Sequence, residues 1–338
     1  MNKRVRNFLI VASVVALLLG GPLWLTAQPL VRPIPGDAVA VDPAVLQRHV
    51  RHLSSDLYPR SFEQFENLER AASYIEAGFR ATGGDVSVQE VQVQGAVYKN
   101  VSVRFGPKAG PLLVIGAHYD SFGDIAAGAR YAQGYSPDTH TPGADDNASG
   151  VAGLLALAEL LGKNPPRRAV ELVAFTLEEP PHFWTEQMGS AWHAQQLRGQ
   201  HQEVELMISL EMIGYFQDAA DSQRYPFPVM RHWYGDRGNF IALVGRLESF
   251  AAIRRAKALM RGATDLPVHS INAPAALPGI AFSDHQSYWA AGYPALMVTD
   301  TAFFRNPHYH GPGDTHGTLN YAQMAKVVQG VHAIAQDF

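Results

Sequence analysis

Five short segments carry side chains able to bind a metal or move a proton. They are His118-Tyr119-Asp120, Asp145-Asp146-Asn147, Glu178-Glu179, Glu211 and His308-Tyr309-His310. The chain has 14 histidines and no cysteine, so a metal would have to sit on imidazole and carboxylate alone. Each segment also has an ordinary reading. A histidine after a strand is commonly a loop residue, and Asp-Asp-Asn before a helix can cap its N–H groups. Two adjacent glutamates closing an apolar run are harder to set aside. Their charges repel, so a buried strand end disfavours them unless a cation is present. The conjunction of all five points to a metal site built from imidazole and carboxylate.

The elements that must bring these segments together are visible in the pattern. Short apolar runs at 112–117, 170–177, 206–210 and 295–298 suit strands buried on both faces of a sheet. Stretches 86–93 and 98–105 alternate as half-buried strands do. Helical patterns fall near 43–55, 63–82, 148–162, 188–198, 239–260 and 320–335. The alternation predicts an α/β three-layer sandwich, with a mostly parallel central mixed sheet flanked by helices. Ligands of such sheets bind outside the carboxyl ends of the strands. Four of the five segments follow a strand end and the fifth opens a helix. Residues 215–238 show little periodicity and read as a surface insertion near the site.

The motifs HYDS, PGADDNASGV, FTLEE, SLEMIGY and YHGPGDT, in that order, resemble metallopeptidase family 28, which includes bacterial aminopeptidases, glutamate carboxypeptidases and glutaminyl cyclases. The likeness runs over about 45–338 and includes LSSDLYPRSFEQFENLERAASYI. It implies two zinc ions per chain. His118 and Glu179 would hold one, Glu211 and His310 the other, with Asp145 bridging both. Asp120 would orient His118, and Glu178 would be the general base that takes a proton from water and returns it to the leaving amine. The expected activity is release of N-terminal residues from peptides.

The chain also departs from the family pattern. Glu211 stands where aspartate is usual, and Pro180-Pro181-His182-Phe183-Trp184 is inserted after the glutamate pair. Ile280 and Ala281 occupy the stretch that elsewhere carries an oxyanion-assisting tyrosine, leaving Tyr288 or His285 as substitutes. His308 and His316 are not expected to be ligands. Phe183, Trp184, Trp233, Tyr234 and Phe304 are candidates for an apolar side-chain pocket, and Arg231, Arg237 and Arg305 for the cationic pocket of a carboxypeptidase. A one-zinc glutaminyl cyclase and a non-catalytic ectodomain are the other readings.

With 47% hydrophobic and 17% charged residues the chain has material for a full core. Its net charge of −4 and lack of a basic stripe exclude nucleic acid as an expected partner. Lys3, Arg4 and Arg6 precede an apolar run over 8–27, long enough to cross a bilayer and with its basic end on the cytoplasmic side. An uncleaved anchor is the preferred reading and a removed export signal the alternative. The expected organisation is a basic tail at 1–7, the apolar segment at 8–27, an extended spacer at 28–42 and the peptidase domain at 43–338, on the periplasmic side.

Overall fold

In the computed structural model of the chain, the described residues are 2, 3, 5–8, 10, 21, 24–36, 39–123 and 140–338. Eight strands form one mixed sheet: β1 Asp85–Val93, β2 Ala96–Phe105, β3 Leu112–His118, β4 Ala169–Phe175, β5 Val204–Glu211, β6 Ile241–Gly245, β7 Val268–Asn272 and β8 Ala295–Thr299. Their order across the sheet is β1-β2-β4-β3-β5-β8-β6-β7. The central strands β4, β3, β5 and β8 run parallel. The β1–β2 hairpin joins β4 antiparallel, and β6 joins β8 antiparallel. The expected three-layer sandwich is therefore present.

The helices are α1 Pro43–Arg51, α2 Phe65–Arg80, α3 Gly150–Lys163, α4 Gly189–Gly199, α5 Arg231–Tyr234, α6 Phe250–Ala263, α7 His285–Ala290 and α8 Tyr321–Asp337. Successive residues of a strand face opposite layers, and the two cores show it. Leu113, Ile115 and Ala117 of β3 join Val170, Leu172 and Ala174 of β4 beneath α1, α2, α3, α6 and α8. Leu112, Val114, Val173 and Phe175 join the opposite core with Ala194 and Leu197 of α4 and Tyr288 of α7. A strand buried on both sides has no polar face, which explains the unbroken apolar runs.

The helix expected at 239–260 is two elements. Ile241–Gly245 is strand β6, and α6 starts only at Phe250. The short apolar run Ile-Ala-Leu-Val fits either period, and pairing with β7 and β8 decides for the strand. Among the described residues no helix is long and apolar enough to cross a membrane. Most of the 8–27 run, on which the anchor expectation rests, lies outside the described residues. Residues 31–36 after it carry no helix or strand and pack on α6, where the Ile34 N–H donates to the Ala258 carbonyl at 2.9 Å.

Leu172 is fully buried at the centre of β4. Leu172→Ala is expected to lower unfolding free energy by about 2–5 kcal/mol through lost burial and the cavity left behind. A urea titration with unchanged slope measures it.

Candidate metal centre

The carboxyl ends of β3, β4 and β5 lie side by side because the strands are parallel and in register, His118 opposite Phe175 and Gly116 opposite Ser209. Each chain then turns sharply. Leu177 and Met212, flanking the glutamates of β4 and β5, have φ of 57° and 50°, and His310 has φ of 52°. Non-glycine residues avoid this region, and such outliers collect where a structure holds side chains for a task. These turns bring His118, Glu178, Glu179, Glu211 and His310 into one buried cluster.

Asp120 anchors the first turn. Its two carboxylate oxygens accept from the Glu178 and Glu179 N–H groups at 3.1 and 3.0 Å. Its backbone carbonyl lies 3.1 Å from His118 Nδ1. A carbonyl can only accept, so Nδ1 carries the proton and Nε2 presents its lone pair to the cluster. Asp120 meets the histidine through its main-chain carbonyl rather than the carboxylate expected to orient it, whose Oδ1 lies at 3.5 Å, and its side chain holds the glutamate turn.

The aspartate common to both clusters of ligand-type side chains is Asp146 and not the expected Asp145. Asp146 Oδ1 is 3.4 Å from His118 Nε2 and its Oδ2 is 3.1 Å from His310 Nε2. Asp145 faces away, its oxygens accepting from the Gly214 N–H and from Asn306 Nδ2, each at 2.9 Å. The cause is the non-helical backbone of the Asp-Asp-Asn turn, with Asp146 at φ −103°, ψ 89°, which points neighbouring side chains to different sides. Asp314 pins that turn by accepting from both the Asp145 and Asp146 N–H groups.

The pairing of ligands also differs from expectation. His118 groups with Asp146 and Glu211, and His310 groups with Asp146 and Glu179. Glu211 Oε2 reaches 3.4 Å from His118 Nε2 and accepts from Ser283 Oγ at 2.8 Å, so its extra methylene is accommodated. His310 Nε2 is 3.4 Å from Glu179 Oε2, and its ring stacks on Phe122 and Tyr309. Glu178 belongs to neither group and lies 3.8 Å from His118 Nε2. His308 and His316 are likewise outside both groups.

These residues fit divalent metal. Three of the four separations between ligand atoms, at 3.4 Å, are longer than ordinary N–H···O contacts, and the fourth is 3.1 Å. They match the roughly 3.3 Å between two ligands of one tetrahedral zinc with bonds of about 2.0 Å. His118 Nε2 and Glu179 Oε1 are buried with no hydrogen-bond partner. Burial raises the Glu178 carboxyl well above its usual range, with His118 opposing and Glu211, Glu179 and Asp284 adding repulsion. Burial likewise pushes Glu179 up to about 7. Burial alone would lower His310, but Glu179 and Asp146 outweigh it and lift it to about 10. The cluster gathers more negative charge than its imidazoles can offset.

Of the substitutes for the missing tyrosine, Tyr288 bonds His193 Nδ1 and His285 Nε2 contacts the Ile280 carbonyl, so both are committed elsewhere. Tyr309 was not among the expected site residues. It sits in the carboxylate field, where burial, Asp146 and Glu179 raise its hydroxyl well above the usual value. It also lines a cavity of about 100 Å³ with Glu211, Tyr225, Tyr234, Phe240 and Phe304. Tyr234 and Phe304 were expected there. Phe183 and Trp184 instead pack on Phe282, and Trp233 is exposed. Arg231 pairs with Asp221 and Asp236, Arg237 donates to the Asp218 carbonyl, and Arg305 lies over the Phe240 ring.

The two aspartates should separate cleanly in metal titrations. Asp146→Asn is expected to abolish tight zinc binding, whereas Asp145→Asn retains it within about the 10–100-fold loss typical of residues behind the ligands. Calorimetry with metal analysis of the dialysed protein reads both. Equal losses would reverse the assignment.

The model of peptidase family M28 matches residues 100–335. The "Uncharacterized protein YfbL" of Escherichia coli is 47% identical, covering 96% of this chain and 97% of its own length. A "Probable leucine aminopeptidase" of Arthroderma otae is 25% identical over 82% of this chain and 71% of its length. Among solved structures, the LapA aminopeptidase of Legionella pneumophila superposes with a TM-score of 0.65 at 20% identity, over 87% of this chain and 71% of that one. A glutaminyl cyclase of Bacteroides thetaiotaomicron gives 0.65 at 17%, over 89% and 100%. With its motifs, its sheet and this match over most of its length, the chain belongs to peptidase family M28.

Proposed function

We propose that this protein is a two-zinc aminopeptidase that removes apolar N-terminal residues from peptides outside the cytoplasm. One observation carries the reading: two ligand groups share Asp146, while Glu178 stands beside both and belongs to neither. A one-metal cyclase on this fold would not need two complete groups. His118, Asp146 and Glu211 would hold one ion, and Asp146, Glu179 and His310 the other. When bound, the zinc ions would supply Lewis acidity that lowers the pKa of water and polarises the scissile carbonyl.

The chain's own groups do the rest. Glu178, ionised beside the cations, accepts a proton from the attacking water and delivers it to the departing amine. Asp120 keeps Glu178 in place through its main-chain N–H. Tyr309 is placed to donate its hydroxyl to the oxyanion, between the ligand groups and the cavity. The cavity is walled by aromatic and aliphatic groups beside Glu211, which suits a large apolar side chain next to the scissile bond. Arg231 and Arg237 are committed to other partners, so a carboxypeptidase reading has little support.

Glu178→Gln is expected to retain two zinc ions and lose about 10²–10⁴-fold in kcat. Tyr309→Phe should lose about 10²–10³-fold in kcat with little change in KM. Aminoacyl anilides scored with and without chelator provide the measurement, with leucine, methionine and phenylalanine preferred over aspartate and lysine. Full turnover after chelation, or one zinc at saturation with cyclisation of N-terminal glutamine, would refute the reading.

A further inference from the structure

Residues 24–36 are clasped onto α6 by groups that otherwise have no reason to be buried. Lys257 is 3% exposed, and among the described residues no carboxylate meets its ammonium. Its Nζ donates to the Ala27 and Gln28 carbonyls at 3.0 and 3.1 Å and contacts Ser270 Oγ at 3.1 Å. Asn272 Nδ2 donates to the Thr26 carbonyl at 3.2 Å, and Ser270 Oγ to Ala27 at 2.9 Å. These are the carbonyls in which the helical turn at 24–27 ends, where a cation is favoured. Arg261 of α6 likewise donates to the Val31 carbonyl, and in the other direction Gln28 Nε2 donates to the Phe250 carbonyl. Gly262 is required for the fit, since a Cβ there would lie 1.7 Å from the Ile34 carbonyl. The domain therefore grips the chain immediately after the apolar run at 8–27.

The surface beside this clasp is unlike the rest of the molecule. Between residues 30–35 and α6 lies a groove of about 710 Å³, walled by Leu30, Ile34 and Phe250 and rimmed by Arg32, Arg254 and Arg255, with Asp337 as its one acidic lining residue and its carbonyl accepting from Arg255 at 3.0 Å. Leu30 is 75% exposed, and Trp24, Leu25 and Ile34 are all more than 40% exposed. The chain as a whole carries −4, yet α6 has four basic residues and no acidic one. Arg32 and Arg255 are exposed on this rim, with Arg254 half-buried between them. Exposed guanidinium groups favour an anionic oxygen, and exposed leucine, isoleucine and tryptophan call for an apolar phase. A bilayer with acidic headgroups supplies both at one interface.

We propose that the face formed by residues 24–36 and α6 lies on an anionic membrane, with lipid headgroups at Arg32, Arg254 and Arg255 and Trp24, Leu25, Leu30 and Ile34 entering the interface. The peptidase domain is then fixed against the bilayer surface, with no free tether between them. The inference is independent of the catalytic reading, because nothing in it uses the metal centre.

The absence of native cysteine makes the test direct. Nitroxides are placed at Leu30→Cys, at Ile34→Cys and, as control, at Val88→Cys on β1, which forms the opposite edge of the sheet from β7, the strand nearest α6. The full-length protein is reconstituted into nanodiscs of zwitterionic lipid alone or with phosphatidylglycerol. With the acidic lipid, labels 30 and 34 should collide with oxygen and be shielded from a polar nickel complex, while label 88 stays aqueous. Arg254→Glu with Arg255→Glu should lower the shielded fraction by roughly tenfold or more, with zinc content and anilide hydrolysis unchanged. Flotation of the chain with vesicles scores the anchor separately. Labels 30 and 34 as aqueous as label 88 would overturn the proposal even if the protein floats, as would failure to float with acidic vesicles.

Discussion

Asp146, Glu178, Glu179 and Glu211 are buried around two imidazoles, and such an arrangement is unstable without added positive charge. Most of the architecture near the strand ends answers that constraint. Asp120 and Asp314 each spend both oxygens on backbone N–H groups of the turns that carry the cluster. Arg60, fully buried, donates to the carbonyls of Tyr119, Pro142 and Gly143 and so ties the His118 loop to the Asp146 loop. Removing one imidazole would leave carboxylates facing one another in a dry interior, the costliest defect a fold can carry.

How much of this could be read beforehand depended on how local each signal was. The strand ends at His118, Glu178 and Glu211 were legible because two-sided burial writes an unbroken apolar run and the chemistry begins where it stops. Strand β6 was not, because five apolar residues followed by an amphipathic helix look like one helix until β7 and β8 supply the pairing. Strand β7, Val-His-Ser-Ile-Asn, carries polar residues on a half-buried edge and left no run to notice. The choice between Asp145 and Asp146 rests on one turn's backbone torsions, and neighbouring identical residues carry no record of that. Which carboxylate pairs with which histidine is likewise a fact of three-dimensional geometry.

The same limit explains Arg60 and Tyr309. Arg60 stands 58 positions before His118 (118 − 60) in a stretch that looks like an ordinary loop, and its donors reach main-chain oxygens that carry no residue identity. Tyr309 precedes His310 in the YHGPGDT motif, and the histidine alone accounts for that motif. Its own placement depends on its ring stacking against that imidazole at 3.8 Å.

That stacking joins two parts of the site usually considered apart. Glu211 and Tyr309 belong at once to the cluster that suits metal and to the wall of the apolar cavity. A substrate side chain filling the cavity would press on the residues that set the ligand geometry of both groups, Glu211 for one and, through the stacked ring, His310 for the other. The Glu211 carboxylate is steadied from behind by Ser283, itself bonded to Ser209 of β5, so the wall on that side is rigid. The Tyr309 side rests on a loop held by Asn306, which bonds Asp145. Asp145 therefore supports the Asp146 turn from outside both ligand groups, with its oxygens turned toward Gly214 and Asn306. A burial-raised carboxyl group suits that task, because its protonated form can donate to Asp300 while accepting from Asn306 and Gly214.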